Sequence, residues 1–270
     1  MKNPLVLARA TGVLAISLAF APLAHAGRSC ESKPPNAEMM VRGLSLAERT
    51  HQALNASGAQ VVLLARAGQD LSKYGLRYSH FGLAYKTQDA QGQPVWRVLH
   101  KLNQCGSAEA AIYRQGLGEF FLDDLWRFEA AWATPTPEVQ QRLLALLEDE
   151  RRALSMHHKP YSIVSYVWST RYQQSNQWAI ETIALAMDPN AVTRERAQIW
   201  LQSAGYQPTT LRLGPLTRLG ARATAANVFF DDHPNDKRFS DRIETVTVDS
   251  VFAWLPRVGL ASTPVAVRLP

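Results

Sequence analysis

The run Tyr78-Ser79-His80-Phe81-Gly82-Leu83-Ala84-Tyr85 sets polar or small residues against large apolar ones. After a loop from Thr87 to Pro94 a second run follows, Val95-Trp96-Arg97-Val98-Leu99-His100. Such alternation puts successive side chains on opposite faces of a sheet, so the two runs predict adjacent strands, each carrying a histidine. Two histidines so placed suit a catalytic site, and equally a half-buried hairpin with polar tips.

Around this pair the pattern predicts an α+β chain. A helix is expected over residues 36–57, its apolar face built from Met39, Met40, Leu44, Leu46 and Leu54 and ended by Gly58. Gln60 to Ala67 reads as a third strand, Ser107 to Tyr113 as a short serine-capped helix, and Leu125 to Thr134 as a fourth strand. Thr136, Pro137 and Glu138 open a helix, with a cap, a first-turn proline and an acid near the positive end. Tyr161 to Thr170 is a strand or an extended approach to a helix over Asn176–Met187, and Thr193 caps another ending at Ser203. Thr209–Leu213, Ala225–Phe230 and Glu244–Trp254 read as late strands. No Gly/Ser- or Pro-rich linker divides the chain, so 27–270 is expected to form a single domain with a C-terminal extension over 206–270.

Residues 1–26 read as a signal peptide: a basic start with Lys2 and Arg9, an apolar run, and Ala24-His25-Ala26 as a cleavage site. The expectation is an exported protein, periplasmic or secreted, with no membrane span in the mature chain. The leader holds two of the 29 basic residues and none of the 23 acidic ones, which leaves the remainder at +4. That mild balance argues weakly for an anionic wall polymer or lipid surface and against a nucleic-acid groove. Arg212, Arg218 and Arg222 fall in a stretch, 206–230, without acids, read most simply as a solvated face. The only two cysteines, Cys30 and Cys105, read first as a disulfide in an oxidising compartment; a Cys105 nucleophile is the alternative.

The third chemical segment is Gln174-Ser175-Asn176-Gln177-Trp178. Ser175 stands where a helix begins, as its simple N-cap or as a nucleophile at the positive end of the dipole. A hydroxyl gains too little from a dipole alone and would need a histidine base, for which His80 is the candidate. These three motifs resemble the circularly permuted papain-like hydrolases, the permuted NlpC/P60 and lecithin retinol acyltransferase-like groups, over residues 60–187. The chain as a whole is identified as a member of an exported bacterial family of unknown function (domain of unknown function 2145).

The resemblance implies an antiparallel sheet packed on helices, with His80 as base, His100 as its orienting partner and Ser175 where cysteine is usual. It further implies Gln174, Asn176 and Trp178 as substrate-binding residues, Gln174 joining backbone N–H groups around an oxyanion. Amide or ester substrates, wall peptides or lipid acyl groups, would follow, with no cofactor. A catalytically silent binding protein and a purely structural envelope protein are the competing readings. Asp231 to Asp236 lacks the spacing of a calcium loop, and the adjacent His157 and His158 point to opposite faces in extended chain, so no metal site is expected.

Overall fold

A computed structural model describes residues 36–269. Cys30 and the expected leader lie outside the described residues. The chain is a mixed α+β structure built on one antiparallel sheet of six strands. The first helix, α1 (Ala37–Ala56), is capped by the Asn36 side chain, which accepts from Glu38 N. Then come β1 (Val61–Ala67), β2 (His80–Gln88), β3 (Pro94–Asn103) and β4 (Ala110–Gly116), followed by α2 (Leu117–Phe121) and β5 (Arg127–Ala133). The helical middle comprises α3 (Pro137–Glu148), α4 (Glu150–Leu154), α5 (Ser175–Met187) and α6 (Arg194–Ser203). The last stretch holds β6 (Thr209–Arg212), α7 (Pro215–Thr224), α8 (Asn235–Arg238), β7 (Arg242–Thr245), α9 (Val248–Arg257) and β8 (Val265–Arg268). Sheet order is β4-β3-β2-β1-β5-β8, and β6 and β7 form a separate pair.

The sheet has two buried faces because its inner strands are apolar on both sides. Every residue of β1 is buried. Val62, Leu64, Ala84, Trp96, Val98, Ala130 and Trp132 pack with Leu46 and Leu54 of α1 and Phe120 of α2. Val61, Leu63, Phe81, Leu83, Tyr85 and Leu99 face the other way, into the core formed with α3, α5, α6 and α9. Alternation along β2 and β3 therefore decides which layer each histidine meets.

Three expected elements differ. Ser107–Tyr113 is not a helix: Ala110 to Gly116 pairs with β3, from Asn103↔Ala110 to Arg97↔Gly116. The turn before it needs Gly106 at φ +71°, and Ser107 donates to Gln104 O instead of capping a helix. Cross-strand pairing outweighs the weak helical preference of a seven-residue window. Ala225–Phe230 forms no strand. Glu244–Trp254 splits into the end of β7 and α9, where Thr247 and Ser250 make a capping box. Its buried Val248, Val251, Phe252 and Leu255 follow a helical spacing. The C-terminal stretch is integral to the fold, for α9 lies in the main core and β8 pairs with β5.

Helix α5 is buried along Ser175–Ala186, so its one carboxylate, Glu181, is met on all sides. Glu181 accepts from Arg194 Nε at 2.8 Å and Nη2 at 3.1 Å, from Gln198 Nε2 at 2.7 Å and from Gln173 Nε2 at 2.5 Å. Gln173 Oε1 in turn accepts from the buried Lys101 Nζ at 2.7 Å. Burial, then the Arg194 charge, pushes the Lys101 pKa down to about 6. Glu181→Leu is expected to cost about 3–5 kcal/mol, since it strands the Arg194 charge. Adding Arg194→Met should restore most of that loss; urea titrations followed by far-UV circular dichroism measure both.

Candidate functional site

The two histidines meet. His80 opens β2 and His100 lies near the end of β3, and their rings approach with His80 Nε2 2.8 Å from His100 Nδ1. His100 is 0 % exposed and His80 8 % exposed. Gly82, which lies against Val98 and His100 of β3, makes this possible: a Cβ there would sit 2.7 Å from Val98 Cγ1 and 2.8 Å from His100 Cβ. The glycine of the His-Phe-Gly-Leu run is thus required by a neighbouring side chain, with no demand on backbone angle.

Burial, then the nearby Arg66 charge, pushes the His100 pKa down to about 3, so the ring is neutral at ordinary pH. Its one proton sits on Nε2, which lies 2.8 Å from Gln115 Oε1, an oxygen that can only accept. His100 Nδ1 is then the acceptor for His80 Nε2–H. The chain Gln115–His100–His80 thus fixes the orientation of the His80 ring. Gln115 lies just past the helix expected over Ser107–Tyr113, and only the pairing of β4 with β3 supplies a register that brings it to His100.

Ser175 is the first residue of α5, but its cap is Gln174, not Ser175 itself. Gln174 Oε1 accepts from Asn176 N at 3.1 Å, and Gln174 Nε2 donates to Thr245 Oγ1 at 3.0 Å and to the Val246 carbonyl. Asn176 Oδ1 accepts from Phe81 N at 3.3 Å, tying the helix start to the strand one residue after His80. Gln177 Oε1 accepts from Ser165 Oγ at 2.7 Å, and Trp178 is wholly buried. The Ser175 hydroxyl, on a residue 7 % exposed, shares a hydrogen bond with the buried Tyr161 hydroxyl, a partner that sequence spacing does not announce.

The sheet stands between these groups. His80 and His100 lie against Phe120 of α2, with ring centroids 6.0 and 5.3 Å apart, on the face covered by α1 and α2. Helix α5 packs on the other face. The contact that ties the start of α5 to β2 runs from Asn176 to the Phe81 N–H. The fold joins His80 to His100 and, through Asn176, the start of α5 to the strand residue after His80. Cys105 is disulfide-bonded.

Elsewhere, Asp232 and His233 are buried partners: His233 Nδ1 lies 2.9 Å from Asp232 Oδ1, and Asp232 Oδ2 accepts from Tyr166 N. The stretch from Asp231 to Asp236 is thus in part an internal brace. His157 is half-buried, and burial, then Lys101, holds its pKa down at about 4. No cluster of three metal-ligating side chains exists among the described residues.

Gly82→Ala is expected to cost about 1–3 kcal/mol and to part the two rings. Denaturant titration and nitrogen-15 imidazole NMR will read both effects. A second expectation concerns pH. His100 stays neutral in the folded chain down to about pH 3, whereas the unfolded histidine takes up a proton near 6.5. Stability is fully present above pH 6.5 and falls as pH drops, by about 2 kcal/mol from this residue between pH 6.5 and 5. The slope of unfolding free energy against pH should flatten in His100→Asn.

No curated protein and no solved structure matches the chain. A family model does, over residues 53–255, which hold His80, His100 and Ser175. The chain belongs to that family, DUF2145, described as an uncharacterized protein conserved in bacteria.

Proposed function

We propose that the chain is an exported cell-envelope protein that keeps a permuted papain-like scaffold for binding or support, without acyl-transfer turnover. The order of the parts supports the scaffold: a histidine strand, a neighbouring strand with a second histidine bonded to the first, then a polar helix start bearing Ser175. One observation carries the absence of turnover. Beyond the N–H of Ser175 itself, the next helix-start donor, Asn176 N, is already taken by the Gln174 side-chain oxygen, which leaves an oxyanion one donor short. A substrate would have to displace a buried amide that is itself held at Thr245 and Val246.

The alternative is a serine hydrolase or acyltransferase acting on wall-peptide amides or lipid acyl esters. The Gln115–His100–His80 chain favours it, because an oriented base is its rarest component. In that reaction Ser175 Oγ attacks the acyl carbon while its proton passes to His80 Nδ1. His80 then returns the proton to the departing amine or alcohol, and water releases the acyl group from Ser175. No metal or cofactor enters either reading.

A fluorophosphonate probe separates the two. Non-turnover predicts no labelling of wild type above the level of Ser175→Ala. Labelling that vanishes in both Ser175→Ala and His80→Ala would establish the hydrolase instead.

A further inference from the structure

We propose that α7, together with Phe239, is a docking element that rests on an anionic lipid surface. The helix is turned inside out. Arg218 points inward, reaching the Arg238 carbonyl and pairing with Asp241 at 3.1 Å. Ala221, one turn on, packs against the small cluster of Leu211, Leu213, Val228, Phe230 and Ile243. Helical spacing then sends Leu216 and Leu219 outward, and they are 84 % and 67 % exposed. No residue of α7 is buried. Phe239 follows the carbonyl that anchors Arg218 and is itself 72 % exposed. An ordinary surface helix buries its leucines and exposes its arginines, so this arrangement is a surface awaiting a partner.

Charge identifies the partner. Residues 206–230 contain Arg212, Arg218 and Arg222 and no acid. Arg212 and Arg222 are exposed, and among the described residues neither makes an ion pair. Leucines outward with uncompensated arginines alongside match the boundary between acyl chains and anionic headgroups. Nucleic acid would use the arginines but not the leucines. No helix of the described residues is long and apolar enough to cross a membrane, so such attachment is peripheral. None of the residues around Ser175 takes part, and the proposal stands whether or not the protein turns over a substrate.

The test is co-sedimentation with vesicles of phosphatidylcholine alone and of phosphatidylcholine mixed with phosphatidylglycerol. Wild type and variants carry the same N-terminal processing, and circular dichroism verifies their fold. Binding is expected on the mixed vesicles, weakening as salt rises. The double variant Leu216→Ser/Leu219→Ser should bind about tenfold less or worse. Arg212→Glu/Arg222→Glu should lose the preference for the charged lipid. The proposal is overturned by equal binding to both vesicle types, by no binding, or by leucine changes without effect. A concentration-dependent dimer that the leucine changes dissolve would likewise overturn it, assigning the face to a second copy.

Discussion

A helix surrounded by protein on every side must have each of its polar groups answered from within, and α5 imposes that condition on the whole chain. Its start is answered by Gln174 and its second residue by the backbone of β2. Gln177 is held by Ser165 and by carbonyls of the loop over 161–170. Its one carboxylate collects Arg194, Gln198 and Gln173. These demands explain why the irregular loop before α5 is fixed although it contains no regular element. They also explain why α6 begins where it does, with Arg194 as its first residue. An unanswered group at any of these points would cost more than a surface contact can return.

The same condition shapes the chemistry. A helix start buried to this degree has little room for both a cap of its own and a reacting oxygen. Here the cap is a long amide whose far end is anchored on the strand pair β6–β7 through Thr245. The histidine relay on the other face of the sheet is complete by itself: one neutral ring, one amide oxygen, one glycine that makes space. The histidine pair and the start of α5 are each braced by their own partners, and the Asn176 contact with Phe81 N links them.

Periodicity made much of this legible. The strands around His80 and His100, the capped α3 and the buried α5 carry long or strongly patterned signals, and the edges of the two strands and of α5 shifted by at most three residues. Where segments were short, partners decided. Ala110–Gly116 becomes a strand because β3 offers it seven paired positions, and Val248–Arg257 becomes a helix because Thr247 and Ser250 cap it. The histidine pair could be anticipated, since both residues sit on neighbouring strands with a glycine between. Gln115, Tyr161 and the Gln174 cap could not, because each depends on a side chain reaching across elements whose register only the fold supplies. The outward leucines of α7 were equally hidden: the residue run is unremarkable until one knows that Arg218 is the inward face.

One further consequence concerns β8. It closes the free edge of β5, and the Arg268 carbonyl accepts from Arg49 of α1 at 3.4 Å, so the two segments that flank the matched span 53–255 brace one another. During synthesis, which proceeds from the N-terminus, β5 emerges well over a hundred residues before its neighbour. Until residues 265–268 arrive, an apolar strand with unpaired N–H and C=O groups stands at the margin of a growing sheet, the arrangement most prone to pairing with the wrong chain. Completion of the fold, and not only its stability, therefore hangs on the timing of four residues.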